Sequence, residues 1–244
     1  MSSPHKCDLV FIYRIARYLR ANPRLKHVFK VGGSLYFCDV IVDSDWAGDK
    51  VSRKSTTGCV LKFGDHTVKT YSRNQRTIAL SSGEAELYAL VSGVAEALGI
   101  QSIVKDFGLD CNIRCFTDSS AAMGIVKRSG IGTFRHLQTQ YLWIQEVVSS
   151  NKVSIHKVGT NDNVADLLTT YLDGNTIQHH IGHLNLVHSS HRPDNAPQLT
   201  KINNITSTRK INRGSRRIPV NLFSHIGSIS GSLASLGNCT WQSV

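Results

Sequence analysis

Four acidic residues stand at positions where folding alone has little use for an acid. Asp43 closes an extended apolar run that begins at Leu35, and Glu86 falls in the first turns of an amphipathic segment. Asp118 follows the strand-like run Ile113–Thr117, and Asp166 lies early in the last apolar segment. Element ends are where side chains far apart in sequence meet in one site. Carboxylates gathered there repel one another unless hard cations neutralise them, and two such ions about 3.5–4 Å apart are a standard means of driving phosphodiester hydrolysis. The chain around these acids is basic: 28 Lys and Arg against 17 Asp and Glu give a net charge of +11. Such a balance favours a polyanionic partner, and an acidic cluster inside a basic chain is the combination expected of a nuclease.

Each acid has a structural competitor. Asp45 and Asp49 stand close to Asp43, but in a turn, where Asp is common. Glu84 stands close to Glu86 but completes a capping box with Ser81, whereas Glu86 lies about 100° from the centre of the apolar stripe, at the edge of the core. Asp118 could cap the helix that starts at Ser119, and Asp166 could serve only the positive end of a helix.

The elements that must position these residues can be read from periodicity. Leu9, Ile12, Tyr13, Ala16 and Leu19 give a helix over Lys6–Ala21 that stops at Asn22-Pro23. Two extended runs, Leu25–Val31 and Leu35–Asp43, flank Gly32-Gly33, a hairpin signal, and two more, Gly58–Phe63 and Thr67–Ser72, flank Gly64-Asp65. A firm 3.6-residue stripe, Leu87, Leu90, Val91, Val94 and Leu98, follows Ser81. Then come strand Ile113–Thr117, a short helix from Ser119, a helix over Thr133–Ser149, strand Lys152–Val158 and a last helix opened by Thr160 or Asn161. Four strands followed by αβααβα predict an α/β fold, a mixed sheet with helices on its faces.

Length and composition set the frame. With 244 residues, 41% hydrophobic and 18% charged, the chain can bury a core in one main domain with appendages. No run approaches the roughly 18–20 apolar residues of a membrane span, so no membrane partner is expected. The first residues lack the apolar stretch of a secretory signal, so an intracellular location, cytoplasmic or nuclear, is expected. The six cysteines are scattered and read as buried free thiols. From Asn185 onward seven Lys and Arg face only Asp194, so this stretch carries +6 of the net charge. Its Ser, Asn and Gly content without periodicity reads as a disordered tail.

Five ordered motifs carry a family resemblance. They are Asp43-Ser44-Asp45-Trp46-Ala47-Gly48-Asp49, Arg53-Lys54-Ser55-Thr56-Thr57-Gly58, Ala79-Leu80-Ser81-Ser82-Gly83-Glu84-Ala85-Glu86, Thr117-Asp118-Ser119-Ser120-Ala121 and Val164-Ala165-Asp166-Leu167-Leu168-Thr169. Together they resemble the ribonuclease H domain that ends the Pol polyprotein of copia-type retrotransposons. The likeness runs from about Gly33 to Leu172, and Met1–Lys30 looks like the connecting end of the reverse transcriptase upstream of it. The domains so implied are residues 1–32, a reverse transcriptase remnant; 33–184, the ribonuclease H-like domain; and 185–244, the basic tail.

The resemblance implies a ribonuclease H-like mixed five-stranded sheet flanked by helices. It implies an Asp-Glu-Asp-Asp set at Asp43, Glu86, Asp118 and Asp166 holding two Mg²⁺ ions, with Mn²⁺ as a substitute, and hydrolysis of the RNA strand of RNA–DNA hybrids. No adjacent Asp-Asp pair occurs, so polymerase activity is not expected. Arg53, Lys54, Arg73, Arg76, Lys127, Arg128 and Arg135 are available for phosphate contacts, and Ser44, Asn74 and Ser119 for polar contacts to the hybrid. His136 matches a basic-His pair typical of the family, while His156 reads as a strand or surface residue. Trp46 and Trp143 read as packing residues. Tyr71 stands where the family commonly has Trp, and Thr170 where it has Lys. The competing reading is a catalytically inactive remnant that binds nucleic acid or docks on the reverse transcriptase of the same element.

Overall fold

The apolar, β-branched run that ends in Val40-Ile41-Val42 and the long apolar stripe after Ser81 produce the two elements around which the rest assembles. The computed structural model describes residues 8–30, 35–130 and 139–189. Its strands are β1 (Leu25–His27), β2 (Phe37–Ser44), β3 (Thr56–Phe63), β4 (His66–Asn74), β5 (Asn112–Thr117), β6 (Val153–Lys157) and β7 (Leu186–His188). The helices are α1 (Asp8–Ala21), α2 (Ser82–Asp106), α3 (Ser120–Lys127), α4 (Thr139–Ser149) and α5 (Gly174–His183), with two 3₁₀ turns, Thr160–Asp162 and Val164–Leu168.

A five-stranded sheet in the order β4-β3-β2-β5-β6 forms the centre. β2, β3 and β4 make an antiparallel meander, while β2 with β5 and β5 with β6 run parallel. This is the mixed, helix-flanked sheet expected from the element order. On one face Cys38, Val40 and Val42 of β2, Cys59 and Leu61 of β3 and Cys115 of β5 pack against Leu87, Leu90 and Val94 of α2 and against α3 and α4. On the other face Val60 packs with Val164 and Leu184, and Ile41, Leu167 and Leu168 adjoin them. By length and composition α2 is apolar enough to cross a membrane, which corrects the expectation that no run approaches a membrane span. Its first turns are buried as the core helix of this domain instead.

The chain divides into two units, and α1 belongs to the smaller one, outside the unit that begins at Leu25. α1 buries none of its residues.

Three local expectations are corrected. The runs on either side of Gly32-Gly33 do not pair with each other, because β2 takes β3 and β5 as neighbours and β1 instead forms a two-stranded sheet with β7. The last helix does not open at Thr160: the backbone there makes two 3₁₀ turns, and α5 starts only at Gly174, capped by Asp173. Consequently Asp166 sits in a 3₁₀ turn rather than an α-helix. Gly32-Gly33, the start of the helix predicted from Thr133, Arg135, His136, Cys7, Cys239 and the tail beyond Ser189 lie outside the described residues. The other four cysteines are buried and free, as expected.

Candidate active site

Parallel pairing of β2 and β5 fixes the first two acids. Ile41 stands opposite Phe116 in the register, so two residues further on Asp43 and Asp118 leave the same sheet edge side by side, at the carboxyl ends of adjacent parallel strands. This is where α/β sheets open a crevice for ligands. α2 brings the third acid. Its Gly93 lies so close to the sheet that an added Cβ would meet Val42 Cγ1 at 2.6 Å and Val40 Cγ1 at 2.8 Å. This close crossing seats the first turns of α2, with Glu86, against the end of β2. Ligand oxygens of Asp43, Glu86 and Asp118 lie within 4.8 Å of one another.

Asp166 arrives by a second close approach. Gly58, the register partner of Asp43 on β3, leaves room for the 3₁₀ turn: a Cβ there would meet Ala165 O and Thr169 Cγ2 at 2.8 Å. Ser72 Oγ donates to Leu168 O at 2.7 Å and holds the same turn from β4.

The electrostatics are those of crowded carboxylates. Glu86, 7% exposed, is pushed up to about 8 by burial first and then by Asp43 and Asp118, against the opposing hydrogen bonds from Ser44. Burial, then Asp43 and Asp118, push half-buried Asp166 up to about 7. Asp43 is also raised, by burial and by Asp118, with a hydrogen bond from Thr169 pulling the other way. Glu86 Oε2 and Asp166 Oδ1 are buried and have no hydrogen-bond partner among the described residues.

Other carboxylate oxygens of the site, Glu86 Oε1, both of Asp43 and Asp118 Oδ2, accept hydrogen bonds. Ser44 donates to Glu86 Oε1 from its backbone N at 3.1 Å and its Oγ at 3.4 Å. Thr169 Oγ1 donates to Asp43 Oδ2, and Asn163 Nδ2 lies 3.3 Å from Val42 O and 3.5 Å from Asp43 Oδ1. Thr160 Oγ1 donates to Asp118 Oδ2 at 3.0 Å. Thr160, Asn163 and Thr169 were not singled out from the sequence as site residues. Their partners lie 42 to 126 positions away, a distance over which periodicity carries no signal.

The competing acids are engaged elsewhere. Glu84 accepts from Leu80 N at 2.9 Å and from Tyr88 Oη, while its own backbone N donates to Ser81 Oγ at 3.2 Å. Asp45 accepts from Thr56 N, and Asp49 accepts from Val51 N at 2.9 Å and from Ser52 Oγ. Asp118 is not the helix cap: Ser119 is, accepting from Ala122 N at 3.2 Å.

The residues considered for nucleic acid contacts separate. Ser44 touches the acidic cluster through Glu86, and Ser119 follows Asp118. Arg53, Arg76 and Lys127 are exposed, and Lys54 and Arg128 are half-buried. Arg73 is taken up by Glu96 at 3.1 Å and lies over the Tyr71 ring, and Asn74 Oδ1 accepts from Thr56 Oγ1 at 3.4 Å. His156 is exposed, 2.9 Å from Ser154 Oγ and stacked on Phe116. Trp46 Nε1 donates to Ala79 O at 3.1 Å, and Trp143 packs on the main core. Tyr71 is buried, its Oη 3.0 Å from Ser92 Oγ.

No protein-family model matches the chain. It is 31% identical over 180 residues to the retrovirus-related Pol polyprotein from transposon TNT 1-94 of Nicotiana tabacum, a match covering 73% of this chain and 13% of that protein. It is 29% identical over 183 residues to the corresponding polyprotein from transposon RE1 of Arabidopsis thaliana, covering 73% of this chain and 12% of that protein. The chain thus spans about an eighth of the length of these relatives. Among solved structures it is similar to the N-terminal ribonuclease H domain of a Mycobacterium tuberculosis protein fused to maltose-binding protein. That likeness has 14% identity and a TM-score of 0.42, and covers 60% of this chain and 97% of that one.

Proposed function

We propose that this chain, whose homologues are copia-type retrotransposon Pol polyproteins, is a metal-dependent endonuclease that hydrolyses the RNA strand of RNA–DNA hybrids. The observation that carries this reading is the acidic cluster, Asp43, Glu86 and Asp118 within 4.8 Å, beside which Asp166 is raised by burial and then by Asp43 and Asp118. Two buried carboxylate oxygens, on Glu86 and Asp166, have no hydrogen-bond partner among the described residues. A fold that gathers carboxylates this way is destabilised by them. Oxygen-rich, negatively charged surroundings with vacant lone pairs suit a hard cation such as magnesium, so the residues present fit the ion that the family resemblance implies. Asp43, Glu86, Asp118 and Asp166 would hold it, and bound magnesium supplies water activation and charge stabilisation at the departing 3′ oxygen.

The protein's own side chains prepare that site. Thr169 and Asn163 fix Asp43, Thr160 fixes one oxygen of Asp118, and Ser44 turns one oxygen of Glu86 toward the sheet edge. The second oxygens of Asp118 and Glu86 are left for the ions. In this reading Arg53, Lys54, Arg76 and Lys127 contact phosphates, which gives affinity with little sequence preference, and Ser44 and Ser119 stand beside the scissile region. Arg73 and Asn74 serve the fold. The protein partner to test is the reverse transcriptase of the same element.

The test is cleavage of a hybrid labelled on both strands. With Mg²⁺ the RNA strand is cut to 5′-phosphate and 3′-hydroxyl ends, while the DNA strand and duplex DNA survive, and EDTA abolishes the reaction. Hybrid binding without cleavage in Mg²⁺ or Mn²⁺ would replace this reading with that of an inactive nucleic-acid-binding remnant.

A further inference from the structure

A second group of metal-binding side chains lies outside the acidic cluster. His179 and His183 are four residues apart on α5, so they share one helix face, and their rings stand 4.6 Å apart between centroids. That face meets the first 3₁₀ turn: His179 Nε2 is 3.6 Å from Asp162 Oδ1. One ligand atom from each of Asp162, His179 and His183 falls within 4.8 Å of the others, and all three residues are exposed. His180, 1% exposed, is turned into the protein.

We propose that Asp162, His179 and His183 form a binding site for a borderline transition-metal ion of the zinc class. Two imidazoles at helical i, i+4 spacing with one carboxylate are a donor set suited to Zn²⁺, Ni²⁺ or Cu²⁺ and poorly suited to Mg²⁺, which takes oxygen ligands. Zinc bonds of about 2.0–2.1 Å place tetrahedral ligand atoms roughly 3.3 Å apart. From within 4.8 Å of one another the three groups need only close by up to about 1.5 Å to reach that spacing, which exposed side chains achieve by small rotations. Three protein ligands leave the fourth position to water. The ion would tie α5 to the 3₁₀ turn that carries Thr160, and through the next turn to Asp166. The site therefore acts as a clamp behind the acidic cluster rather than as part of it, and it stands whether or not the chain cuts hybrids.

Calorimetric titration of the full chain with ZnCl₂ in excess MgCl₂ tests this, since magnesium occupies the oxygen site and leaves the histidines free. The expected result is one zinc bound per chain, with a zinc-dependent rise in melting temperature. His179→Gln and His183→Gln should each weaken binding by more than about tenfold and abolish the rise, because even residues behind the ligands cost 10–100-fold when changed. Metal-free melts of the variants should match the unmodified protein, because both side chains are exposed. Asp162→Asn, which leaves α5 untouched, should weaken binding as well. Unchanged zinc affinity in the His179→Gln/His183→Gln double variant, or displacement of the zinc by magnesium, would overturn the proposal.

Discussion

Glu86 and Asp166 carry the clearest electrostatic signature at the scale of single residues. Their carboxyls move from ordinary values of 4.5 and 3.8 up to about 8 and about 7. The folded state therefore holds protons that the unfolded state has released, so stability falls as pH rises through this window and is unaffected below it, where both states are protonated. Metal-free protein is expected to melt at a lower temperature at about pH 8.5 than at about pH 6, with a smaller drop in Glu86→Gln; each kcal/mol corresponds to about 2–4 °C. Thermal scans of both proteins across pH check this, and an equal drop would remove Glu86 as the cause. Mg²⁺, which competes with these protons, should bind more tightly as pH rises through the same range. Thr169→Val removes a donor from Asp43. A hydrogen bond to a charged group is worth about 1.5–3 kcal/mol, so the pH–rate profile of hybrid cleavage should shift upward in this variant. An unmoved profile would reduce Thr169 to a structural role.

At the scale of elements, two glycines decide whether the acids meet. Gly93 admits α2 to the face of β2, and Gly58 admits the Val164–Leu168 turn to the face of β3. Overfilling a packed contact costs about 1–3 kcal/mol. Gly93→Ala should lower stability by that amount, while Gly58→Ala should in addition blunt the stabilisation by Mg²⁺, because it displaces the turn bearing Asp166. Melting curves with and without Mg²⁺ separate the two. The helix α2 and strands β2 to β6 were readable from the sequence, since the stripe Leu87–Leu98 and the β-branched apolar run of β2 are local patterns that burial then enforces. The capping box was readable too, although Glu84 reaches Leu80 N rather than the backbone of Ser81. The pairing of β1 with β7 was not, because three-residue strands joined across the whole domain leave no periodic trace. The 3₁₀ geometry around Asp166 was missed because apolar residues at Val164, Leu167 and Leu168 satisfy a helical spacing equally well.

For the whole molecule the question is how a chain of +11 uses its charge. Binding to any polyanion should weaken steeply with salt. Removing residues 190–244 takes away seven basic residues and one acid and should lower both affinity and salt dependence. A cooperative melt should persist in that truncated chain, since the two hydrophobic clusters among the described residues lie between Cys38 and Leu186. Loss of the transition would show that the removed stretch belongs to the core. The central claim is that four carboxylates from β2, α2, the end of β5 and a 3₁₀ turn act as one metal-holding unit on a hybrid. Its most direct test is single-turnover cleavage of an RNA–DNA hybrid in Mg²⁺ by the unmodified chain beside Asp43→Asn, Glu86→Gln, Asp118→Asn and Asp166→Asn. The expected result is RNA-strand cleavage by the unmodified chain and a loss of at least about 100-fold in every variant with hybrid binding largely retained, as for charge removed from a preorganised site. Cleavage that survives undiminished in any one of the four would take that residue out of the unit, and cleavage undiminished in all four would place the chemistry elsewhere.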